Sequence, residues 1–164
     1  HLTKQLCYNF ANAIHRIIPD GVVMIGRDTR PSGDDLLTNI SDQLINRGRN
    51  VIILGIVPTP TVQYMVQNTE AQGGIVITAS HNPIEWNGFK FIRHDGTFFR
   101  PNECQNLFSI MDQNSFSKHE NDMGSIIQDV NAIQKHIINI LGLSCLDINQ
   151  IRNIKFNLVV YAIN

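Results

Sequence analysis

The sequence predicts an α/β fold: a three-layer α/β/α domain with a mixed, mostly parallel sheet. Two observations predict it. Three short, mainly apolar runs, at residues 22–25, 51–54 and 73–78, are typical of strands that are buried on both faces. A segment with helical spacing of apolar residues precedes the first run and separates each run from the next. Strands and helices that alternate with short connections favour parallel strands joined by right-handed crossovers.

The helices of this first half are predicted from apolar residues spaced three and four positions apart. We expect them at residues 2–18, 34–47 and 61–68. Ser32 and Asp35 lie three positions apart at the start of the second helix, which is the spacing of a capping-box variant. Ligands of parallel sheets gather at the carboxyl ends of the strands. The informative loops should therefore begin where the three predicted strands end.

The pattern changes after the third strand. Residues 89–92 read as a strand, and the turn signal Asp95-Gly96 lets residues 97–99 return antiparallel to it. Further elements are predicted as a helix at 101–111, a polar loop or linker at 114–122, a longer helix at 125–141 and a strand at 156–161.

We expect three parts along the chain. Residues 1–142 form one α/β/α domain, 143–155 a linker, and 156–164 the truncated first strand of a second domain. The length of 164 residues suits one ordinary domain with a piece of another.

Composition and charge exclude several classes of partner. Thirteen basic and fourteen acidic side chains give a net charge of −1, which argues against general nucleic-acid binding. No apolar run approaches the length of a membrane span, so we expect no membrane partner. Cys7, Cys104 and Cys145 show neither metal-ligand nor disulfide spacing, which favours free thiols in a reducing compartment. No signal peptide is visible, so we expect a cytoplasmic location.

The first candidate site is the loop after the first strand, at residues 26–33. Two arginines, two hydroxyl side chains and a helix N-terminus converge there, and each favours an anion such as phosphate. The alternative is a solvated loop in which Arg27 pairs with Asp28.

The second candidate is the segment Thr78-Ala79-Ser80-His81-Asn82-Pro83. Ser80 follows a central strand and can face the crevice at its carboxyl end. A Ser/His hydrolase is one interpretation, but no Gly-x-Ser-x-Gly elbow surrounds Ser80. Adjacent residues on an extended chain also point apart, which places His81 poorly for deprotonating Ser80. The plainer alternative is a turn, because Asn and Pro favour turns.

The third candidate is Asn87-Gly88-Phe89-Lys90. A partly desolvated lysine has a lowered pKa and can act as a base, whereas an ordinary surface lysine cannot. Residues 55–61, with Pro58-Thr59-Pro60, form a rigid loop at the same sheet edge that we interpret as scaffolding.

Taken together, these motifs resemble those of the α-D-phosphohexomutase superfamily, which comprises phosphoglucomutase, phosphomannomutase and phosphoglucosamine mutase. The matching residues occur in the expected order, and the resemblance covers roughly residues 1–140 as the first domain of that family. They are Gly26-Arg27-Asp28 with Arg30 and Ser32-Gly33, then Pro58-Thr59-Pro60, then Thr78-Ala79-Ser80-His81-Asn82-Pro83, then Asn87-Gly88-Phe89-Lys90.

The resemblance implies a phosphoserine at Ser80 that exchanges its phosphoryl group with a hexose phosphate through a hexose 1,6-bisphosphate. Lys90 resembles the general base, and His81 would assist it. Mg²⁺ would be held by the Ser80 phosphate and by aspartates of an absent second domain. Residues that would support the loop or the substrate phosphate are Arg27, Asp28, Arg30, Ser32, Asn82 and Asn87.

Departures from the family pattern limit what this chain should do alone. The N-terminal Arg-Gly motif and the Asp-Gly-Asp metal loop are absent, and Tyr161 stands where the family often has Asp. We therefore expect the chain to need its missing domains II–IV as partners and to be inactive without them. The sugar is left open, although Glu85-Trp86-Asn87 is reminiscent of phosphoglucosamine mutases as much as of phosphomannomutases.

Three other interpretations stay open. One is a phosphosugar-binding module without catalysis, in which the Ser80 loop only cradles a phosphate. Another is a Ser/His hydrolase, for which Glu85 is the only nearby acid that could orient His81. The third is a structural domain of a degenerate homologue.

Overall fold

The computed structural model describes residues 2–112 and 123–160. Within them, five strands and six helices follow one another along the chain. They are α1 (Lys4–Ile17), β1 (Val23–Arg27), α2 (Gly33–Ile45), β2 (Val51–Ile56), α3 (Thr59–Gln67), β3 (Gly73–Ile77), β4 (Phe89–Arg93), α4 (Pro101–Asp112), β5 (Ile126–Gln128), α5 (Ala132–Leu141) and α6 (Ile148–Asn153).

The five strands form one sheet in the order β4-β3-β1-β2-β5. Strand β1 lies at its centre and pairs in parallel with β2 and β3. Strand β5 extends the sheet in parallel beside β2, whereas β4 pairs antiparallel with β3. The predicted mixed, mostly parallel sheet is therefore confirmed.

Apolar clusters cover both faces of the sheet. Alternate residues of a strand point to opposite faces, so Ile25 packs with α1, α2 and α4 while its neighbour Met24 packs with α3. The same division separates Ile75 from Val76 on β3. Each of these side chains is at most 2% exposed. The layers are thus helix, sheet and helix, as the sequence predicts.

Gly26 on β1 permits the close approach of α3 to the sheet. A Cβ atom at this position would lie 2.6 Å from side-chain carbons of both Val57 and Val62. Those two residues flank the Pro58-Thr59-Pro60 segment, in which Pro58 is the N-cap of α3. The helix thus begins at Thr59, inside the loop predicted at residues 55–61. Gly26 and the helix start at Pro58 together position α3 at the edge of the sheet.

Two local predictions are wrong. Ser32 has helical backbone angles and makes no capping hydrogen bond, so the capping box with Asp35 does not form. Residues 126–128 are strand β5 rather than helix, and the predicted helix over 125–141 begins only at Ala132. The open edge of β2 explains the second difference, because its backbone groups are satisfied by pairing with β5.

Other predictions agree with the structure only in part or are not tested by it. Phe98 forms a single antiparallel bridge with Ile92 where a returning strand was expected. Residues 155–160 form neither helix nor strand, so the strand expected from residue 156 is absent as far as residue 160. The polar segment 114–122, and Tyr161 with the residues after it, lie outside the described residues. The division at 142 and 155 stays a prediction, and α6 lies within the expected linker.

The three cysteines are free thiols: Cys7 is buried, Cys104 half-buried and Cys145 exposed. Burial raises the pKa of the Cys7 thiol, which keeps it protonated and inert. Among the helices of residues 2–112 and 123–160, none has the length and apolar character to cross a membrane.

Candidate active site

The loops that follow β1, β2 and β3 meet at one edge of the sheet. The backbone N–H of Asp28 donates to the carbonyl of Ile77 at 3.1 Å, and that of Val57 donates to Arg27 at 3.0 Å. The loop after β3 returns to the same edge, because the Thr78 N–H donates to the carbonyl of Gly88 at 2.9 Å. The second and third candidate segments are therefore in direct contact, and the first contacts the last residue of β3.

Ser80 has an unusual backbone conformation at this edge. Its φ of 57° lies in the left-handed region, and within the described chain Ser80 is alone among non-glycine residues in having a positive φ. Left-handed backbone is unfavourable for residues with a Cβ atom, and such outliers are frequent at functional sites. The Ser80 side chain is exposed, and its hydroxyl makes no hydrogen bond to any described residue.

Arg30 fixes the conformation of the loop that contains Ser80. Arg30 is only 4% exposed, and all five of its side-chain N–H groups donate hydrogen bonds. Nε donates to the carboxylate of Asp28 at 3.0 Å, and the other four donate to backbone carbonyls of the loop. Those carbonyls belong to Ser80, Asn82, Pro83 and Trp86. Because a guanidinium has five N–H donors, Arg30 has none left for a phosphate and serves to shape the loop.

Asp28 is the counter-ion of Arg30, and its carboxylate accepts hydrogen bonds from both loops. One carboxylate oxygen accepts the Arg30 backbone N–H at 3.1 Å, and the other accepts Arg30 Nε at 3.0 Å and the Thr78 hydroxyl at 2.7 Å. Thr78 Oγ1 in turn accepts the Ser80 N–H at 3.0 Å. Thr78 lies in the second candidate segment, but its role was not predicted from the sequence, although a threonine two positions before a turn residue is the pattern of a side-chain-to-backbone turn.

Arg27 has a different role from Arg30. Its guanidinium donates to the backbone carbonyl of Asp28 at 3.0 Å and pairs with the carboxylate of Asp34. It does not pair with the Asp28 carboxylate, nor does it hydrogen-bond to the Ser80 loop. Of the two arginines that the sequence offered, Arg30 is the one that contacts this loop.

Three further predicted support residues tie the loops together. Asn87 Nδ2 donates to Ser32 Oγ at 3.0 Å, and Asn87 Oδ1 accepts the Gly88 N–H at 2.9 Å. Asn82 Nδ2 donates to the carbonyl of Ala79 at 2.9 Å. The Ser32 hydroxyl thus links the start of α2 to the segment before β4 rather than capping its own helix.

His81 and Lys90 are not in hydrogen-bond contact with Ser80. His81 is exposed and forms no hydrogen bond within the described chain. Lys90 is half-buried on β4, and its Nζ lies 6.0 Å from the ring centre of Phe98. A Ser/His hydrolase needs a serine–histidine bond and an orienting carboxylate. Neither Ser80 nor Glu85 makes such a bond to His81 within residues 2–112 and 123–160.

Ser80 lines a small open depression of about 160 Å³. Thr29 and Arg30 contribute from the loop after β1, and the rest of the lining comes from the residues that follow Ser80. These are His81, Asn82, Pro83 and Ile84. The exposed serine hydroxyl thus borders a concave surface at the carboxyl edge of the sheet, which is where ligands of such sheets bind.

The described residues do not fit a magnesium ion by themselves. They contain no group of three His, Cys, Asp or Glu side chains arranged to hold a metal. Asp28 is the carboxylate nearest to Thr78 and Ser80 in this network, and it already accepts three hydrogen bonds. A single serine oxygen falls well short of the octahedral oxygen shell that Mg²⁺ requires.

The chain is similar in sequence to curated phosphoglucosamine mutases. The chain is 38% identical over 138 residues to phosphoglucosamine mutase from Methanococcus aeolicus, a match that covers 83% of this chain and 30% of that protein. It is 37% identical over 165 residues to phosphoglucosamine mutase from Methanococcus vannielii, covering 100% of this chain and 35% of the relative. The chain therefore spans about a third of the length of these curated relatives.

The fold has a solved counterpart. A phosphoglucomutase/phosphomannomutase family protein from Burkholderia thailandensis superimposes with a TM-score of 0.73 at 26% identity, over 86% of this chain and 32% of that one. Residues 1–118 match the family described as phosphoglucomutase/phosphomannomutase, alpha/beta/alpha domain I. The chain therefore belongs to the phosphoglucomutase/phosphomannomutase family and comprises its α/β/α domain I.

Proposed function

We propose that this chain is the phosphoserine-bearing domain of a phosphohexomutase that interconverts the 1-phosphate and 6-phosphate of a hexose. The observation that carries the proposal is the hydrogen bonding and exposure of Ser80. Both backbone polar groups of Ser80 are bound by side chains, while its hydroxyl is exposed and has no hydrogen-bond partner among the described residues. A nucleophile needs this combination of fixed position and free reacting atom.

In the proposed reaction, Ser80 Oγ carries a phosphoryl group. The free hydroxyl of a hexose phosphate attacks the phosphorus, a new P–O bond forms to the sugar, and the P–O bond to Ser80 breaks. The proton of the sugar hydroxyl passes to a base, and Ser80 Oγ takes up a proton as it leaves. Ser80 Oγ then gives its proton to a base and attacks the phosphorus at the other end of the hexose 1,6-bisphosphate. The P–O bond to that sugar oxygen breaks, the oxygen takes up a proton, and the products are the phosphoserine and the isomeric hexose phosphate.

Lys90 is the proposed base and His81 its proposed assistant. Both lie near the carboxyl edge of β3: His81 follows Ser80 directly, and Lys90 pairs with Val76 at the start of the antiparallel strand β4. Neither hydrogen-bonds to Ser80 within the described chain, so their roles require a substrate between them and the serine. In sites without substrate, catalytic hydrogen bonds are often long and tighten only in the complex.

The remaining parts of the site are proposed to come from outside the described residues. The chain spans about a third of its relatives' length, which leaves room for further domains that bind the sugar and supply metal ligands. Mg²⁺ would neutralise charge on the transferring phosphoryl group. Ser80 would be its ligand in this chain through the phosphate.

Glucosamine phosphate is the proposed substrate, because both Methanococcus relatives carry the name phosphoglucosamine mutase. The test is an interconversion assay on the full-length gene product with the 1-phosphates of glucosamine, glucose and mannose, primed with the matching 1,6-bisphosphate and Mg²⁺. We expect turnover of the glucosamine compound and none with Ser80→Ala. Turnover of mannose phosphate alone would contradict the sugar, and turnover by Ser80→Ala would contradict the phosphoserine.

A further inference from the structure

We propose that Thr78 is a positioning residue for Ser80. Its hydroxyl connects the negative charge of Asp28 to the Ser80 backbone N–H and so holds Ser80 in its left-handed conformation. The inference rests on the proposed function, because it gives Thr78 a part in presenting the phosphoryl-accepting serine. Thr78 itself makes no hydrogen bond to either oxygen atom of Ser80 within the described chain.

The left-handed conformation of Ser80 needs restraint from its surroundings. With a φ of 57°, it has a backbone that serine adopts less readily than glycine, asparagine or aspartate. This conformation sets the direction of the Cα–Cβ bond and therefore of the hydroxyl. The restraint acts on both sides of Ser80: Arg30 Nη2 binds its carbonyl at 2.9 Å, and Thr78 Oγ1 binds its N–H at 3.0 Å.

The Thr78 hydroxyl has a fixed polarity. The Asp28 carboxylate can only accept, so the hydroxyl hydrogen of Thr78 points to Asp28 Oδ2 at 2.7 Å. Its lone pairs are then turned toward the Ser80 N–H. Hydrogen bonds to an ionised group are stronger than neutral ones, and Thr78 is only 8% exposed. Water therefore replaces this connection poorly.

Positioning and plain turn stabilisation predict different results. A threonine that only stabilises its turn changes the melting temperature and leaves the rate of phosphoryl transfer per folded molecule unchanged. A positioning residue changes that rate while leaving the affinity for the phosphoryl donor nearly unchanged, since Thr78 is only 8% exposed and does not line the depression beside Ser80. Measuring rate and affinity separately on folded protein distinguishes the two.

The test compares Thr78→Val with Thr78→Ser in the full-length protein. Valine keeps the shape and removes the hydroxyl, whereas serine keeps the hydroxyl. The probe is a hexose 1,6-bisphosphate, the rate of phosphoserine formation is followed by peptide mass spectrometry, and its concentration dependence gives the donor affinity. We expect Thr78→Val to slow labelling about 100-fold with little change in affinity, as a misplaced nucleophile does. Thr78→Ser should retain nearly the wild-type rate.

A second readout follows the backbone directly. Amide hydrogen exchange at Ser80 should be about tenfold faster in Thr78→Val, because the bond that protects this N–H is lost. Thr97→Val is the matched control: it removes a threonine hydroxyl that donates to a nearby carboxylate, Asp95, at 2.6 Å and away from Ser80. This control should leave both the labelling rate and the exchange at Ser80 unchanged.

The outcomes separate this proposal from the proposed function. Wild-type labelling and exchange in Thr78→Val would overturn the role of Thr78, and so would a Thr78→Ser variant as slow as Thr78→Val. Absence of label in the wild-type protein would instead contradict the phosphoserine function. In that case the exchange rate decides the role of Thr78: faster exchange at Ser80 in Thr78→Val supports it, and unchanged exchange overturns it.

Discussion

Arg30 and Ser80 are separated by 50 positions in the sequence, yet Arg30 Nη2 donates to the Ser80 carbonyl at 2.9 Å. The contact joins the loop after β1 to the loop after β3, at the edge where a parallel sheet collects its ligands. Because the same guanidinium binds three more carbonyls of the loop, the geometry around Ser80 depends on one buried side chain. A buried cation in this position makes the site sensitive to small substitutions.

The first prediction concerns Arg30→Lys. Lysine keeps the positive charge but has three donors on one nitrogen, so it cannot reach Asp28 and four carbonyls together. We expect the free energy of unfolding of the domain to fall by about 3 kcal/mol, which is typical for breaking a buried charged network. Urea denaturation measures it. Arg27→Lys, which alters a more exposed pair with Asp34, serves as the control and should cost much less.

A second prediction compares two substitutions of Ser80. Ser80→Gly relieves the left-handed backbone strain, whereas Ser80→Ala retains it. Both remove the hydroxyl, so both should abolish phosphorylation. The glycine variant should nevertheless be the more stable of the two by about 1 kcal/mol in urea denaturation, as expected for a strained non-glycine residue. Equal stabilities, or a more stable alanine variant, would contradict the left-handed conformation.

The third prediction tests the packing of α3 against β1. Gly26→Ala would bring a methyl group to 2.6 Å from carbons of Val57 and Val62. Overpacking of this kind should lower the free energy of unfolding by about 1–3 kcal/mol. The double variant Gly26→Ala with Val62→Ala provides space for the new methyl group. Its loss of stability should therefore be smaller than the sum of the two single losses, and strict additivity would count against the contact.

The fourth prediction concerns acid. Asp129 lies between β5 and α5, where Lys135 Nζ donates to its carboxylate at 2.6 Å. That bond lowers the pKa of Asp129, and burial partly opposes the shift. Because the pKa of Asp129 is lower in the folded than in the unfolded protein, its charged carboxylate stabilises the fold fully above the unfolded pKa of about 4. This contribution to the free energy of unfolding is lost as the pH falls through the lower pKa of Asp129 in the folded protein.

Melting temperatures between neutral and strongly acidic pH test this prediction. The wild-type domain should lose more stability on acidification than Asp129→Asn, whose side chain has no charge to lose. Asn131 can still donate its N–H to the asparagine oxygen as it does to Asp129. An identical pH dependence in the two proteins would show that the pair contributes nothing.

Much of the fold could be predicted from local pattern. Strands β1 and β3 are buried on both faces and β2 is buried in part, and such strands carry apolar runs that are visible in the sequence. Strand β5 could not be predicted in this way, since Ile126 and Ile127 also match the helical spacing of the segment that follows. Their strand conformation depends on the open edge of β2, which is more than 70 positions away in the sequence.

The candidate site could likewise be predicted only in part. Ser80 could be singled out because it follows a buried strand and because its neighbours match a family motif. The separate roles of Arg27 and Arg30 could not be predicted, because each depends on which distant groups its guanidinium reaches. The role of Thr78 could not be predicted for the same reason: it depends on Asp28, 50 positions earlier in the chain.

The most direct test of this account maps phosphoryl transfer onto the protein. The full-length gene product is incubated with Mg²⁺ and a hexose 1,6-bisphosphate labelled in its phosphoryl groups, and the modified residue is found by peptide mass spectrometry. We predict label on Ser80 and none in Ser80→Ala. A wild-type protein that binds the bisphosphate without becoming labelled at Ser80 would contradict the account and indicate a phosphosugar-binding domain without catalysis.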